Sequence, residues 1–101
     1  LVRLLAPPAA PEAHVYHMFV VCTDDRDLLS RYLALRGVQS LIHYPVPVHQ
    51  QPPGVGVQRD PQGLGNTERH ARTCLSLPCH PQMSDAEVTA VVDAINDYSG
   101  V

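Results

Sequence analysis

The sequence predicts an α+β fold, a small and mostly antiparallel sheet with helices on one face, and three observations carry that prediction. Residues 15–22 are dense in β-branched and aromatic side chains, the composition of a strand. Ser84-Asp85-Ala86-Glu87 is a capping box. Behind it, Val88, Val91, Val92 and Ile95 keep the i, i+3, i+4, i+7 spacing of a helix. Across the chain, periodic segments follow the order β-α-β-(long loop)-α-β-α, which suits helices packed on one side of a sheet. A length of 101 residues holds a single domain, residues 1–101. A domain of that size buries roughly two-thirds of its unfolded surface, enough for a core without staples.

The chain opens on residues 2–5, a short apolar strand candidate, followed by the stiff connector Ala6-Pro7-Pro8-Ala9-Ala10-Pro11. In residues 15–22, Val15, His17, Phe19 and Val21 fall on one face and Tyr16, Met18, Val20 and Cys22 on the other. Apolar groups on both faces predict a central strand or one lying against a partner. Thr23-Asp24-Asp25 offers N-cap oxygens for a helix running to about Arg36, with Gly37 as its C′ residue. Leu28, Leu29, Tyr32 and Leu35 form its apolar stripe. Residues 38–42 then read as a second strand. From Pro45 to Gly65 the chain carries prolines at 45, 47, 52, 53 and 61 and four glycines, which excludes helix interior and central strand alike. A loop that long inside a compact domain is functional or docked onto something else. Residues 66–73 form a short helix candidate, and residues 75–77 a brief strand ended by Pro78.

Composition narrows the chemistry. An apolar fraction of 45% and a charged fraction of 17% are ordinary for a globular chain. Ten prolines are about twice the usual share, and most sit outside the periodic segments. A formal charge of −3 gives no electrostatic footprint for nucleic acid. All seven cationic side chains are arginines. With no lysine, Schiff-base chemistry on a side chain is excluded within these residues. The three cysteines, Cys22, Cys74 and Cys79, have no framework spacing, so a disulfide-stapled secreted fold is not expected. No apolar run approaches the ~20 residues that cross a bilayer. The start at Leu1 is too short for a signal segment and suggests a piece of something longer; cytoplasmic residence is the default expectation.

Several constellations of reactive side chains have plainer readings. His43, His49, Cys74, Cys79 and His80 are zinc-type ligands, but no C-x₂-C pair exists and two prolines separate the first two. No metal site is expected, and Cys22 and Cys74 read as buried inert thiols. Cys79-His80 are adjacent, which makes side-chain contact awkward on an extended backbone, so a loop cysteine is favoured over a nucleophile. Gly54-Val55-Gly56 lacks the strand–turn–helix setting of a phosphate loop. Ile42-His43-Tyr44-Pro45-Val46-Pro47-Val48-His49 differs: two prolines hold two imidazoles and a phenol on a stiff strap at a strand end. Histidine can donate or accept near neutral pH, and tyrosine adds a hydroxyl and a stacking face. On residue chemistry alone, a loop packed on its own domain reads equally well.

Three stretches in order, covering nearly the whole chain, then carry a resemblance. They are His14-Val15-Tyr16-His17-Met18-Phe19-Val20-Val21 with Asp25-Arg26-Asp27 opening a helix that ends Leu35-Arg36-Gly37-Val38; the strap extended through Gln50-Gln51-Pro52; and Glu68 through Leu75-Ser76-Leu77-Pro78-Cys79-His80-Pro81 into Ser84-Asp85-Ala86-Glu87-Val88. Together they resemble the DegT/DnrJ/StrS sugar aminotransferases, with the strap similar to that family's HYPxPxHxQP stretch. The chain departs from the family pattern at Cys22, where a basic residue is usual, at Cys79, usually apolar, at Asn66-Thr67, which replaces a proline-apolar pair, and across the irregular loop 54–63.

The resemblance implies a pyridoxal-phosphate enzyme of fold type I, a homodimer with sites at the subunit interface. Such enzymes move an amino group, commonly from glutamate, to the keto group of a nucleotide-linked sugar. It implies that residues 1–101 are the C-terminal small domain, with the Schiff-base lysine and the cofactor-gripping groups in an N-terminal large domain absent from this chain. His43, Tyr44 and His49 would then be substrate-binding, bonding sugar hydroxyls or phosphates at the pocket wall. His17 matches a position that is often polar in the family. No catalytic, cofactor-binding or metal-binding residue is expected in this chain, which alone is expected to be inactive, without covalently bound pyridoxal phosphate. The rival is a stand-alone ferredoxin-like binding or regulatory module using the same strap, and a zinc module is the third reading.

Overall fold

The computed structural model describes residues 1–100. Its elements run β1 (Arg3–Leu4), β2 (Phe19–Cys22), α1 (Arg26–Leu35), α2 (Gly65–Thr73), β3 (Cys74–Leu77) and α3 (Asp85–Asn96), with short 3-10 turns at Pro11–Ala13, Val48–Gln50 and Pro52–Gly54. The three strands form one antiparallel sheet in the order β1-β2-β3. Phe19 faces Leu77, Val20 faces Ser76, Val21 faces Leu75 and Cys22 faces Cys74. Alternation puts Phe19, Val21, Leu75 and Leu77 on one face, and Val20, Cys22, Cys74 and Ser76 on the other.

The first face carries the core. Val21, Leu75 and Leu77 pack with Leu29 and Leu33 of α1, Ala94 of α3 and Tyr98 just beyond it. Leu29, Leu33 and Leu75 have no exposed surface at all; burying each is worth about 1.5–3 kcal/mol. The expected α+β arrangement is therefore present, with α1 and α3 as the covering layer. α2 leads directly into β3, and its His70 approaches Cys22 on the second face, Nδ1 to Sγ 3.9 Å.

Two expected strands are shorter than the sequence suggested. Residues 15–18 are not part of the sheet: Tyr16 takes a positive φ of 47°, and its N–H donates to the His14 ring at 2.8 Å. That local turn leaves Val15 90% exposed. The expected strand over 38–42 reduces to one bridge, Leu41 with Ser76. The reason lies in how α1 ends. Gly37 (φ 75°) and Val38 turn back to donate to Ala34 and Leu33, so their backbone serves the helix terminus and not a sheet.

The stripe of α1 is also rotated from the expected one. Leu29 and Leu33, four residues apart, are buried, while Leu35 is 88% exposed and Leu28 39%. In α3 the capping box forms as read, Ser84 hydroxyl accepting from Glu87 N–H and Glu87 accepting from Ser84 N–H. Its valine stripe is only half covered: Val88 and Val92 are 45% and 49% exposed. They line an open apolar groove of about 480 Å³ between α3 and the sheet, with Leu4, Phe19 and Met83.

Candidate functional site

The strap leaves the sheet at Leu41, which exchanges two backbone hydrogen bonds with Ser76, N to O 3.1 Å and O to N 2.7 Å. Two residues later, His43 is brought back over β3. Its Nδ1 lies 2.9 Å from the hydroxyl of Ser76, a residue that is itself buried. The Cys74 thiol donates to the His43 carbonyl at 3.8 Å. Both partners belong to the second sheet face, so a strand of four residues holds the strap's first histidine by ring and by backbone.

The peptide between His43 and Tyr44 is cis. Tyr44 meets the His43 ring edge-on, centroids 5.2 Å apart, and remains 68% exposed. Of His43, Tyr44 and His49 it is therefore the residue most open to an incoming molecule. Beyond Pro47 the chain tightens into the turns Val48–Gln50 and Pro52–Gly54. There His49 is pulled inward: Nε2 lies 2.9 Å from Glu68 Oε1 on α2, and the imidazole is only 10% exposed. The Gln51 amide donates to the Val46 carbonyl at 3.1 Å, bracing the loop across its mouth. Gly54 packs against the Val48 carbonyl so closely that any Cβ there would collide with it.

His43 and Tyr44 are thus held together, and His49 is held apart from them. Each histidine borders its own depression. The one beside His43, about 640 Å³, also meets His17, Ser76, Cys79 and His80. The one beside His49, about 430 Å³, meets Gln51, Arg59 and Thr67. Ser76, Glu68, Gln51 and Gly54 are the supporting residues that residue type alone did not single out. Glu68 sits in the stretch that carried the resemblance, which was the one available signal for it.

Among the described residues no group of three His, Cys, Asp or Glu side chains is gathered to hold a metal ion. The Cys79 thiol donates to the Tyr16 carbonyl at 3.4 Å. Gly54 closes a 3-10 turn, not a strand–helix junction. Among the same residues no helix is long and apolar enough to cross a membrane.

Comparison with known proteins decides what this arrangement belongs to. The model of the DegT/DnrJ/EryC1/StrS aminotransferase family matches residues 2–96. The chain belongs to that family. As a DegT/DnrJ/EryC1/StrS chain it is 40% identical over 95 residues to dTDP-3-amino-3,4,6-trideoxy-alpha-D-glucose transaminase of Streptomyces venezuelae, covering 92% of this chain and 25% of that protein. It is 40% identical over 87 residues to dTDP-3-amino-3,6-dideoxy-alpha-D-galactopyranose transaminase of Aneurinibacillus thermoaerophilus, covering 86% of this chain and 23% of that one. Among solved structures it is similar to a DegT DnrJ EryC1 StrS aminotransferase from Brucella abortus, with TM-score 0.88, 28% identity, and 99% and 26% of the two chains covered. S. venezuelae DesV gives TM-score 0.79 at 39% identity, with 93% and 25% covered. The chain spans about a quarter of the length of the relatives it matches.

Proposed function

We propose that these residues are the C-terminal small domain of a pyridoxal-phosphate-dependent aminotransferase that aminates a nucleotide-linked keto sugar in amino-sugar biosynthesis. The observation that carries the reading is the 40% identity, over 92% of the chain, to a relative named as a dTDP-amino-sugar transaminase. The partners that follow are an N-terminal large domain, the nucleotide sugar, an amino donor such as glutamate, and a second subunit, in the cytoplasm. A stand-alone binding module is the weaker reading, because the family match extends from residue 2 to residue 96.

The residues of this chain do not by themselves fit pyridoxal phosphate. Covalent attachment needs a lysine, and there is none. Glu68, the carboxylate bonded to a strap histidine, is already engaged by His49. Within the proposed enzyme the strap acts on the substrate side. Tyr44 offers a phenol and a ring face to the sugar or its phosphates. His43, with Nδ1 fixed by Ser76, keeps Nε2 as its free nitrogen. His49, clamped to Glu68, anchors the strap against α2.

The test is an assay of the protein encoded by the complete reading frame, loaded with pyridoxal phosphate, given glutamate and a dTDP-linked keto sugar. Amino-sugar formation is expected, and Tyr44→Phe should raise KM more than it lowers kcat. Absence of amino transfer to any nucleotide-linked keto sugar would refute the reading. For residues 1–101 alone, borohydride treatment with pyridoxal phosphate should label the N-terminal amine and no side chain.

A further inference from the structure

Cys22 and Cys74 lie directly across from each other on β2 and β3. The hydrogen-bond pattern says which kind of pair they are. Thr23 N–H donates to the Thr73 carbonyl at 3.0 Å, one residue outside the cysteines on each strand. That places Cys22 and Cys74 at a non-hydrogen-bonded position, where opposing Cα atoms sit about 4.5 Å apart and side chains come closest. The spacing falls within the roughly 4.4–6.8 Å that a disulfide spans. Both side chains belong to the second sheet face, and both thiols are free.

The surroundings of the two sulfurs differ. Cys22 is partly exposed, with His70 Nδ1 3.9 Å from its sulfur, in position to accept the thiol proton. Cys74 is 1% exposed and turns its thiol to the His43 carbonyl. Burial pushes the Cys74 thiol above its ordinary range, with the nearby Arg26 guanidinium pulling the other way. An accessible sulfur beside a base and a sheltered thiol across the ladder are the two halves of a peroxide-driven thiol pair.

We infer that Cys22 and Cys74 form a reversible redox site in which a hydroperoxide converts the pair into a cross-strand disulfide. The Cys22 thiol gives its proton to His70, and the thiolate attacks one peroxide oxygen. The O–O bond breaks, Cys22 becomes a sulfenic acid, and hydroxide leaves to take up a proton as water. Cys74 sulfur then attacks Cys22 sulfur, the S–O bond breaks, and the hydroxyl departs with the Cys74 proton as a second water. Two thiols are oxidised by two electrons and one hydrogen peroxide is reduced to two waters. Closure takes the Cys74 donor away from the His43 carbonyl, so the disulfide is written where the strap is anchored.

The experiment exposes the protein to a small excess of hydrogen peroxide, alkylates the remaining thiols, and maps peptides without reduction. A Cys22–Cys74 linked peptide is expected, lost on treatment with dithiothreitol, with Cys79 alkylated. In Cys79→Ser the link persists, and in Cys22→Ser it vanishes while Cys74 is recovered as free thiol. The native map needs no variant to fold. Alkylation of both cysteines after oxidation, a link through Cys79, or Cys22 driven to sulfinic acid with Cys74 still free would each overturn the inference.

Discussion

His49 and Glu68 meet across nineteen positions of chain. A carboxylate can only accept, so the proton of this bond sits on His49 Nε2. Glu68→Ala would leave that N–H without a partner in a ring that is nine-tenths covered, a cost of about 1–3 kcal/mol. Amide hydrogen exchange over residues 48–51 should quicken in that variant. Glu68→Gln, whose amide oxygen still accepts, should restore most of the protection; equal loss in both variants would show that the charge and not the bond holds the strap. At this scale the sequence indicated His43, Tyr44 and His49 as chemically capable groups. It could not indicate their partners, because Ser76 and Glu68 are separated from them by 33 and 19 residues. Such pairings are fixed by the sheet register and by the placement of α2, which no local pattern encodes.

The start of α3 was legible because its chemistry is local, whereas Asp25, at the N-cap of α1, makes no side-chain cap hydrogen bond. Ser84 and Glu87 are three residues apart, and the capping box they make follows from that spacing. Ser84→Ala should cost about 1 kcal/mol, read as a lower denaturant midpoint with unchanged slope. Hydrogen bonds from the Ser84 backbone and hydroxyl hold the Glu87 carboxyl below the usual glutamate range, which is roughly 4.3 in model peptides. The unfolded chain therefore takes up the proton first as pH falls. The contribution of Glu87 is complete above the usual glutamate range and is lost as pH drops through the lower folded value. Circular dichroism across the acid range should show this loss in the native chain and a flatter profile in Glu87→Gln. The orientation of α1 was less legible, since five leucine or tyrosine positions offer more than one stripe. Leu33→Ala, which opens a hole among Leu29, Val21 and Leu75, should cost about 2–5 kcal/mol. Leu35→Ala, at an exposed site, should change the midpoint little. Residues 38–42 have strand composition, yet α1 claims the backbone of Gly37 and Val38 for its terminus.

For the molecule as a whole, the radius of gyration is 15.6 Å, against about 13 Å for a compact domain of 100 residues. Phe19, Val88 and Val92 leave an apolar groove open to water, and such surfaces drive association. Sedimentation of residues 1–101 should show mass rising with concentration, and Val92→Glu should suppress the rise while preserving the far-UV spectrum. A strictly monomeric chain at high concentration would show that the exposed groove does not drive association. The α+β class was legible because periodicity and caps agree with each other. The open side was not, because the half-exposed Val88 and Val92 and the core residue Ala94 belong to one apolar helix, and a sequence pattern does not say which of its residues find a partner.

Gly54 touches the Val48 carbonyl through main chain alone. At that contact the turn is shaped by backbone, which leaves its exposed valines free to drift. A saturation library over residues 46–58, scored by display of folded protein, should give a shallow profile at Val48, Val55 and Val57, all solvent-exposed. It should show a deep trough at Gly54, beside the one expected at His49, whose ring is clamped to Glu68. Equal tolerance at Gly54 would show that the turn yields to a side chain.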